Sequence, residues 1–192
     1  MDDIEQKLNK AEEIIKQPRF RQNKGLGNEV GYYIFDYPAE QELIVRERIK
    51  YIVAKSKNSI DGFQVVEFDL YNIIISIIKE KGFLEKCVEF EKTKGFDRIT
   101  KSVGNMLRIS ADDNLIVQFI KDNTPPNCVV FLTGIGKCYP ILRSHKVLNN
   151  LYQLRDTVPV VMFFPGEYDC QQLKLFSEIK DDNYYRAFKL VE

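Results

Sequence analysis

Residues 127–166 read NCVVFLTGIGKCYPILRSHKVLNNLYQLRDTVPVVMFFPG, and this stretch decides the fold. Its two apolar runs, 128–132 and 158–164, are short and rich in Val and Phe. Each ends in a glycine-bearing loop, the pattern of parallel strands buried on both faces. Between them Leu142, Val147, Leu148 and Leu151 fall close to one helical face, and Pro140 stands where a first-turn proline loses no hydrogen bond. The spacing therefore predicts a βαβ unit whose helix opens at Pro140 and extends to Leu154. A parallel crossover is right-handed in nearly all cases and brings both strand ends to one edge of the sheet. TGIGKCY and PGEYDC then become neighbouring loops at the carboxyl edge, where open α/β sheets place their ligands and partners.

Upstream, Ile4, Leu8, Ala11, Ile14 and Ile15 give residues 3–17 the stripe of an amphipathic helix that Pro18 ends. RFRQNKGLGNEVG has no periodicity and reads as a connecting loop. A strand over 31–36 leads through Tyr37 and Pro38 into a helix over 39–55, with Val45, Ile49, Ile52 and Val53 on its core face and Glu40 and Glu42 near its positive end. A second strand spans 63–69. Helices follow from IIISIIKEKG, from 83–94, from 96–107 and from 112–121, the last carrying Leu115, Ile116, Phe119 and Ile120. Downstream, Leu173 and Leu175 alternate, 181–183 form a turn, and 184–190 read as a strand. The expected fold is α/β: one three-layer domain over 1–192, with a mostly parallel sheet, helices on both faces and a helical insertion at about 70–122 between the second and third strands.

Composition excludes several classes of function. With 192 residues and 44% hydrophobic composition the chain supports one sizeable core. Its 28 Lys plus Arg balance 28 Asp plus Glu, so no global field favours nucleic acid or a membrane surface. No apolar run approaches the length of a membrane span. The cysteines, Cys87, Cys128, Cys138 and Cys170, form no CxxC pair, and the N-terminal MDDIEQKLNK is charged from its second residue, so a cytoplasmic protein with free thiols is expected.

The motifs of common chemistries fail one by one. Gly134, Gly136 and Lys137 invite a phosphate-loop reading, but that motif needs Gly at 131 and a hydroxyl at 138, where this chain has Phe131 and Cys138. FDYPAEQE, after the first strand, carries no glycine cradle. Ser144 and His145 are adjacent on the predicted helix and point in different directions, so they do not form a nucleophile and base. With one histidine and no thiolate pair, no zinc spacing exists. Glu167, Asp169, Asp181 and Asp182 lie where turns use carboxylates to bond the backbone. No catalytic residue, metal or cofactor is expected; a degenerate nucleotide-binding domain or an unrecognised enzyme at the carboxyl edge is the alternative.

Aromatic density at that edge stands out. Tyr139, Phe163, Phe164, Tyr168, Tyr184, Tyr185 and Phe188 mix with Arg143 and Arg186, a composition that favours protein recognition where it is exposed. The PGEYD loop and the DDNYYR turn are read as a protein-binding edge, with Tyr168, Tyr185 and Arg186 as anchors.

Three segments, YIFDYPAEQELIVRERI (33–49), FLTGIGKCYPILRSHKVLNNL (131–151) and PVVMFFPGEYDCQQLKLFSEIKDDNYYRAFKLVE (159–192), resemble the BrxB family, small accessory proteins of bacteriophage exclusion (BREX) systems. The resemblance implies membership of a multi-protein bacterial defence system that methylates host DNA and blocks phage replication, without a catalytic activity assigned to this component. It implies as partner the alkaline-phosphatase-like PglZ component, with other BREX proteins possible, and it offers no support for direct nucleic-acid contact. It also gives Arg143, His145, Tyr168, Asp181, Asp182, Asn183, Tyr184, Tyr185 and Arg186 a common role at a partner surface.

Overall fold

In the computed structural model, Cys128–Thr133 (β3) and Val160–Tyr168 (β4) lie side by side and parallel, with Val130 opposite Val160 and Leu132 opposite Met162. The described residues are 3–21, 31–58, 63–111, 114–142, 158–181 and 187–192. Before β3 the chain forms α1 (Asp3–Lys16), α2 (Pro18–Arg21), β1 (Tyr32–Tyr37), a 3-10 turn (Ala39–Gln41), α3 (Glu42–Ser56), β2 (Gln64–Asp69) and four helices. These are α4 (Leu70–Glu80), α5 (Leu84–Lys94), α6 (Phe96–Met106) and α7 (Leu115–Asn123). After β3 come α8 (Ile135–Cys138), β4, β5 (Leu173–Leu175), β6 (Ile179–Asp181) and β7 (Phe188–Lys189).

The strand order is β2-β3-β4-β1-β7, and every pairing along that path is parallel. From β1 the chain crosses two strands in one direction to reach β2, then returns step by step through β3 and β4. Right-handed crossovers running in opposite directions must lay their helices on opposite faces. The two cores follow that rule. On one face Val45, Ile49 and Ile52 of α3 join Leu8 and Ile15 of α1 over Phe35, Phe131 and Phe163. On the other, Ile74 of α4, Val103 of α6, Ile116 of α7 and Ile135 of α8 cover Ile34, Val130, Leu132 and Met162. The alternation of β3 and β4 thus serves two apolar layers at once, which is why their sequences read as continuous apolar runs.

Local chemistry sets the helix boundaries. Asp69, the last residue of β2, caps α4 by accepting the Asn72 amide at 3.2 Å, and buried Asn114 caps α7 by accepting the Val117 amide at 2.9 Å. Gly95, at φ 80, separates α5 from α6.

Three local expectations change. The first helix ends at Lys16, ahead of Pro18, as expected, but Pro18 then opens the short α2, which takes in 19–21 where a loop was expected, consistent with the tolerance of proline in a first turn. Pro140 does not open a helix: the helical turn comes earlier, over Ile135–Cys138, the Tyr139–Pro140 peptide is cis, and 140–142 form a turn and bend. The remainder of the expected helix, 143–154, lies outside the described residues. At the C-terminal side, β4 runs past the parallel sheet and folds back antiparallel onto β5, with Gly166 opposite Leu175. A side chain at Gly166 would strike the carbonyl of Lys174, so only glycine permits that close approach. Of the strand expected over 184–190, Phe188–Lys189 is formed, beside β1.

Candidate functional site: the carboxyl edge of the sheet

Asp36, near the end of β1, is a buried carboxylate in an otherwise apolar strand, and three groups converge on it. Lys7 of α1 reaches one carboxylate oxygen at 2.7 Å and the Asp36 carbonyl at 2.6 Å. Lys189 of β7 stands 3.1 Å from the other oxygen, which also accepts the backbone N–H of Tyr168 at 3.1 Å. Lys189 donates in addition to the Tyr168 carbonyl at 3.1 Å. Burial pushes the Asp36 carboxyl up, but the bonds from Lys7, Lys189 and Tyr168 outweigh it and hold the group below its ordinary value.

A second set of charges lies at the ends of β2 and β3. Asp69 is ion-paired with Lys137, whose ammonium also sits 5.4 Å from the centre of the Tyr71 ring. Gly134, left-handed at φ 76, allows this pair to close: a side chain there would overlap the Asp69 carboxylate. One strand residue earlier, the Thr133 hydroxyl donates to Glu67 at 2.8 Å. At the end of β1, the buried Tyr37 hydroxyl donates to Glu42, which also holds Arg46 at 2.8 Å. Burial and the neighbouring Glu42 carboxylate both raise the Tyr37 pKa, so the hydroxyl remains a donor.

The edge is therefore rich in charge, but the carboxylates of Asp36, Glu42, Glu67 and Asp69 are bonded within the fold. Aromatic surface accompanies them. Tyr71 is 40% exposed beside Lys137, and Phe176, 38% exposed, lies over Gly136 and Pro165, where a side chain on Gly136 would meet its ring.

Tyr168 does not stand at this surface. It is 1% exposed, and its hydroxyl donates to the Ala187 carbonyl at 2.7 Å. Its anchor role is corrected to a structural one, because β4 continues to Tyr168 and turns that side chain into the core shared with Leu173 and Leu175. Asp169 accepts the amides of Gln171 and Gln172 at 2.9 and 2.6 Å, as a turn carboxylate does, and these bonds lower its pKa. Glu167 is exposed on the β4–β5 hairpin. Asp181 ends β6, its backbone paired with Leu173. Arg143, His145, Asp182, Asn183, Tyr184, Tyr185 and Arg186 lie outside the described residues.

Sequence reasoning missed Asp36 with Lys7 and Lys189, and Asp69 with Lys137. For Asp36 a signal exists in YYIFDY: a carboxylate in a strand that is otherwise apolar and aromatic must find cations when buried. Nothing in the sequence names those cations, since one comes from residue 7 and the other from residue 189.

The chain is similar to BREX protein BrxB of Bacillus cereus (strain H3081.97), at 49% identity over 189 residues that cover 98% of both chains. It is also similar to BREX protein BrxB of Escherichia coli O9:H4 (strain HS), at 33% identity over 190 residues that cover 98% of this chain and 92% of that one. No solved structure matches it. The family model described as BREX protein BrxB matches residues 66–190, from within β2 to just past β7, a span that holds the Asp69–Lys137 pair and Lys189. With the full-length relatives extending the likeness over α1 and β1, the chain belongs to the BrxB family of BREX proteins.

Proposed function

We propose that this protein is a non-catalytic accessory component of a bacterial BREX anti-phage defence system. It acts through protein–protein contact, with the PglZ-like, alkaline-phosphatase-family component as its partner. Membership of the BrxB family supports the system; the carboxyl edge supports the mode of action. The observation that carries the reading is the pairing of Lys137 with Asp69 beside exposed Tyr71 and Phe176. A phosphate approaching that lysine meets a carboxylate already in place, which opposes the use of GIGK as a phosphate cradle. Large aromatic side chains next to a cation are, in contrast, the composition of protein-recognition surfaces. The partner approaches along this edge and the segments that follow it, with Arg143, His145, Asp181, Asp182, Asn183, Tyr184, Tyr185 and Arg186 contributing and Tyr185 and Arg186 as anchors.

The test is co-expression with the other BREX proteins and affinity purification through this chain. The PglZ-like protein is expected to co-purify. Phe176→Ala, Tyr185→Ala and Arg186→Ala should each weaken that association by about 2 kcal/mol at unchanged melting temperature. Loss of binding only together with loss of melting temperature would instead make those residues structural. ATP or GTP hydrolysis that travels with the purified protein and vanishes in Lys137→Ala would replace this reading with an enzymatic one.

A further inference from the structure

β2 is the outer strand of the parallel sheet: it pairs with β3 on one side, and no described strand pairs with it on the other. Edge strands are commonly cut short, bulged or given proline or lysine, which keeps other chains from pairing with them. β7, at the far end of the same path, is two residues long and carries Lys189. β2 has six residues, QVVEFD, without proline, glycine or lysine, and its register with β3 runs unbroken from Gln64 opposite Cys128 to Asp69 opposite Thr133.

Two bonds fix the direction of its backbone groups. Val130 of β3 donates to the Pro159 carbonyl, on the β4 side, so Val129 and Phe131 turn toward β2. In a parallel pair the residue aligned with one that bonds across points its own N–H and C=O away. Val65 and Glu67, aligned with Val129 and Phe131, therefore point out of the sheet. The Val65 amide agrees, since it donates at 3.0 Å to the hydroxyl of buried Ser56 at the end of α3. That cover stops there. Among the described residues the Val65 carbonyl, both backbone groups of Glu67 and the Asp69 amide have no hydrogen-bond partner. They form a row roughly 13 Å long at two-residue spacing, which another extended backbone matches group for group.

Side chains along the row narrow the occupant. Asp69 is held by Lys137, whereas Glu67 accepts the Thr133 hydroxyl and has no cation among the described residues. On the opposite face Val66 is only partly covered, and Phe119 of α7 stands edge-on to Phe68, ring centres 6.5 Å apart. A second copy of the chain fits poorly. Two β2 edges related by a two-fold axis must pair antiparallel, with outward residues facing each other. Glu67 would then face its own counterpart or that of Asp69, like charges directly opposite, or that of Val65, whose amide Ser56 already takes.

We propose that this edge takes up an extended segment of another BREX protein as an added strand, with Lys or Arg beside Glu67 and a β-branched or aromatic residue beside Val66. The proposal rests on the interaction-module reading above and extends its surface, because the row ends at Asp69, where the Lys137 pair and Tyr71 begin.

Glu67→Pro tests it. Proline is tolerated on an edge strand where the missing N–H faces outward, so the ladder to β3 is kept while the row loses its central donor. Glu67→Ala, the control, keeps every backbone group. The full chain carrying each change is co-expressed with the other BREX proteins and purified by affinity. Recovery of one of those proteins should be at least tenfold lower with Glu67→Pro than with Glu67→Ala, at equal melting temperature. Hydrogen exchange on the unaltered chain gives a reading independent of how the proline variant folds. The amides of Glu67 and Asp69 should exchange at least tenfold more slowly in the complex than in the chain alone. Equal recovery of the two variants, or exchange unchanged on complex formation, overturns the proposal. So does slowing that appears in the chain alone as its concentration is raised, which makes the occupant a second copy. If no BREX protein co-purifies with the unaltered chain, the interaction-module reading fails, and this proposal with it; co-purification untouched by Glu67→Pro defeats this proposal alone.

Discussion

The backbone N–H of Tyr168 donates to Oδ2 of Asp36 at 3.1 Å, across 132 positions of sequence. The bond ties the end of β1 to the point where β4 leaves the parallel sheet and turns toward β5. Lys7 and Lys189 meet on the same carboxylate, so one side chain joins the N-terminal helix, the first strand, the hairpin and the last strand.

Asp36→Ala removes the acceptor common to all of these. The expected loss is about 3 kcal/mol, at the low end for breaking a buried pair, because Lys7 and Lys189 keep some access to water. Urea denaturation measures it; a loss under about 1 kcal/mol would mean that the sheet packing holds these elements without the carboxylate.

Acid should weaken the fold through Asp36 and Glu12. Burial pushes the Glu12 carboxyl up, but Lys16 and Lys55 bond it and hold it below its ordinary value, and Asp36 is lowered in the same sense. The unfolded chain then binds more protons than the folded one near the usual carboxylate range. The contribution of these groups is full above about pH 5 and is lost as pH falls through their lowered folded values. Denaturation at a series of pH values should show this decline, and Asp36→Asn should shrink it.

Tyr168→Phe leaves the ring in place and removes the bond to the Ala187 carbonyl. A loss of about 1 kcal/mol in stability is expected, with association to BREX proteins unchanged. Weakened association at full stability would return Tyr168 to the interface.

Gly134→Ala should cost more than 1 kcal/mol, since the position combines φ 76 with the Asp69 carboxylate in the space of the new methyl group. Thermal denaturation reads the loss. Ala at Gly82, also left-handed but with open space around it, separates the backbone cost from the steric one.

Thiol accessibility should divide the cysteines. Cys170 is exposed and should react fully with a chromogenic disulfide in the native state. Cys128 and Cys138 are buried, and burial pushes their thiols up to about 11 and about 12, so they should react only on unfolding. Fast native modification of Cys138 would show that the GIGKC turn opens readily.

The sequence by itself determined the layers. Continuous apolar runs at 128–132 and 158–164 require burial on both faces, and that demand, joined to right-handed crossovers, is enough for a parallel sheet between helices. The same runs were readable because period and hydrophobicity are local properties. Position at the edge was not. Tyr168 looks like a loop aromatic in PGEYD, and whether it faces solvent depends on β4 extending past Gly166 to pair with β5, a contact with residues 173–175 that no local pattern encodes. Asp36, Lys7 and Lys189 carry no shared motif, and the fold alone brings α1, β1 and β7 together around one carboxylate. Sequence pattern sets which faces must be buried because burial follows the hydrophobicity of each segment; tertiary structure decided which charges meet and which aromatics are covered, because those depend on pairings between segments far apart in the chain.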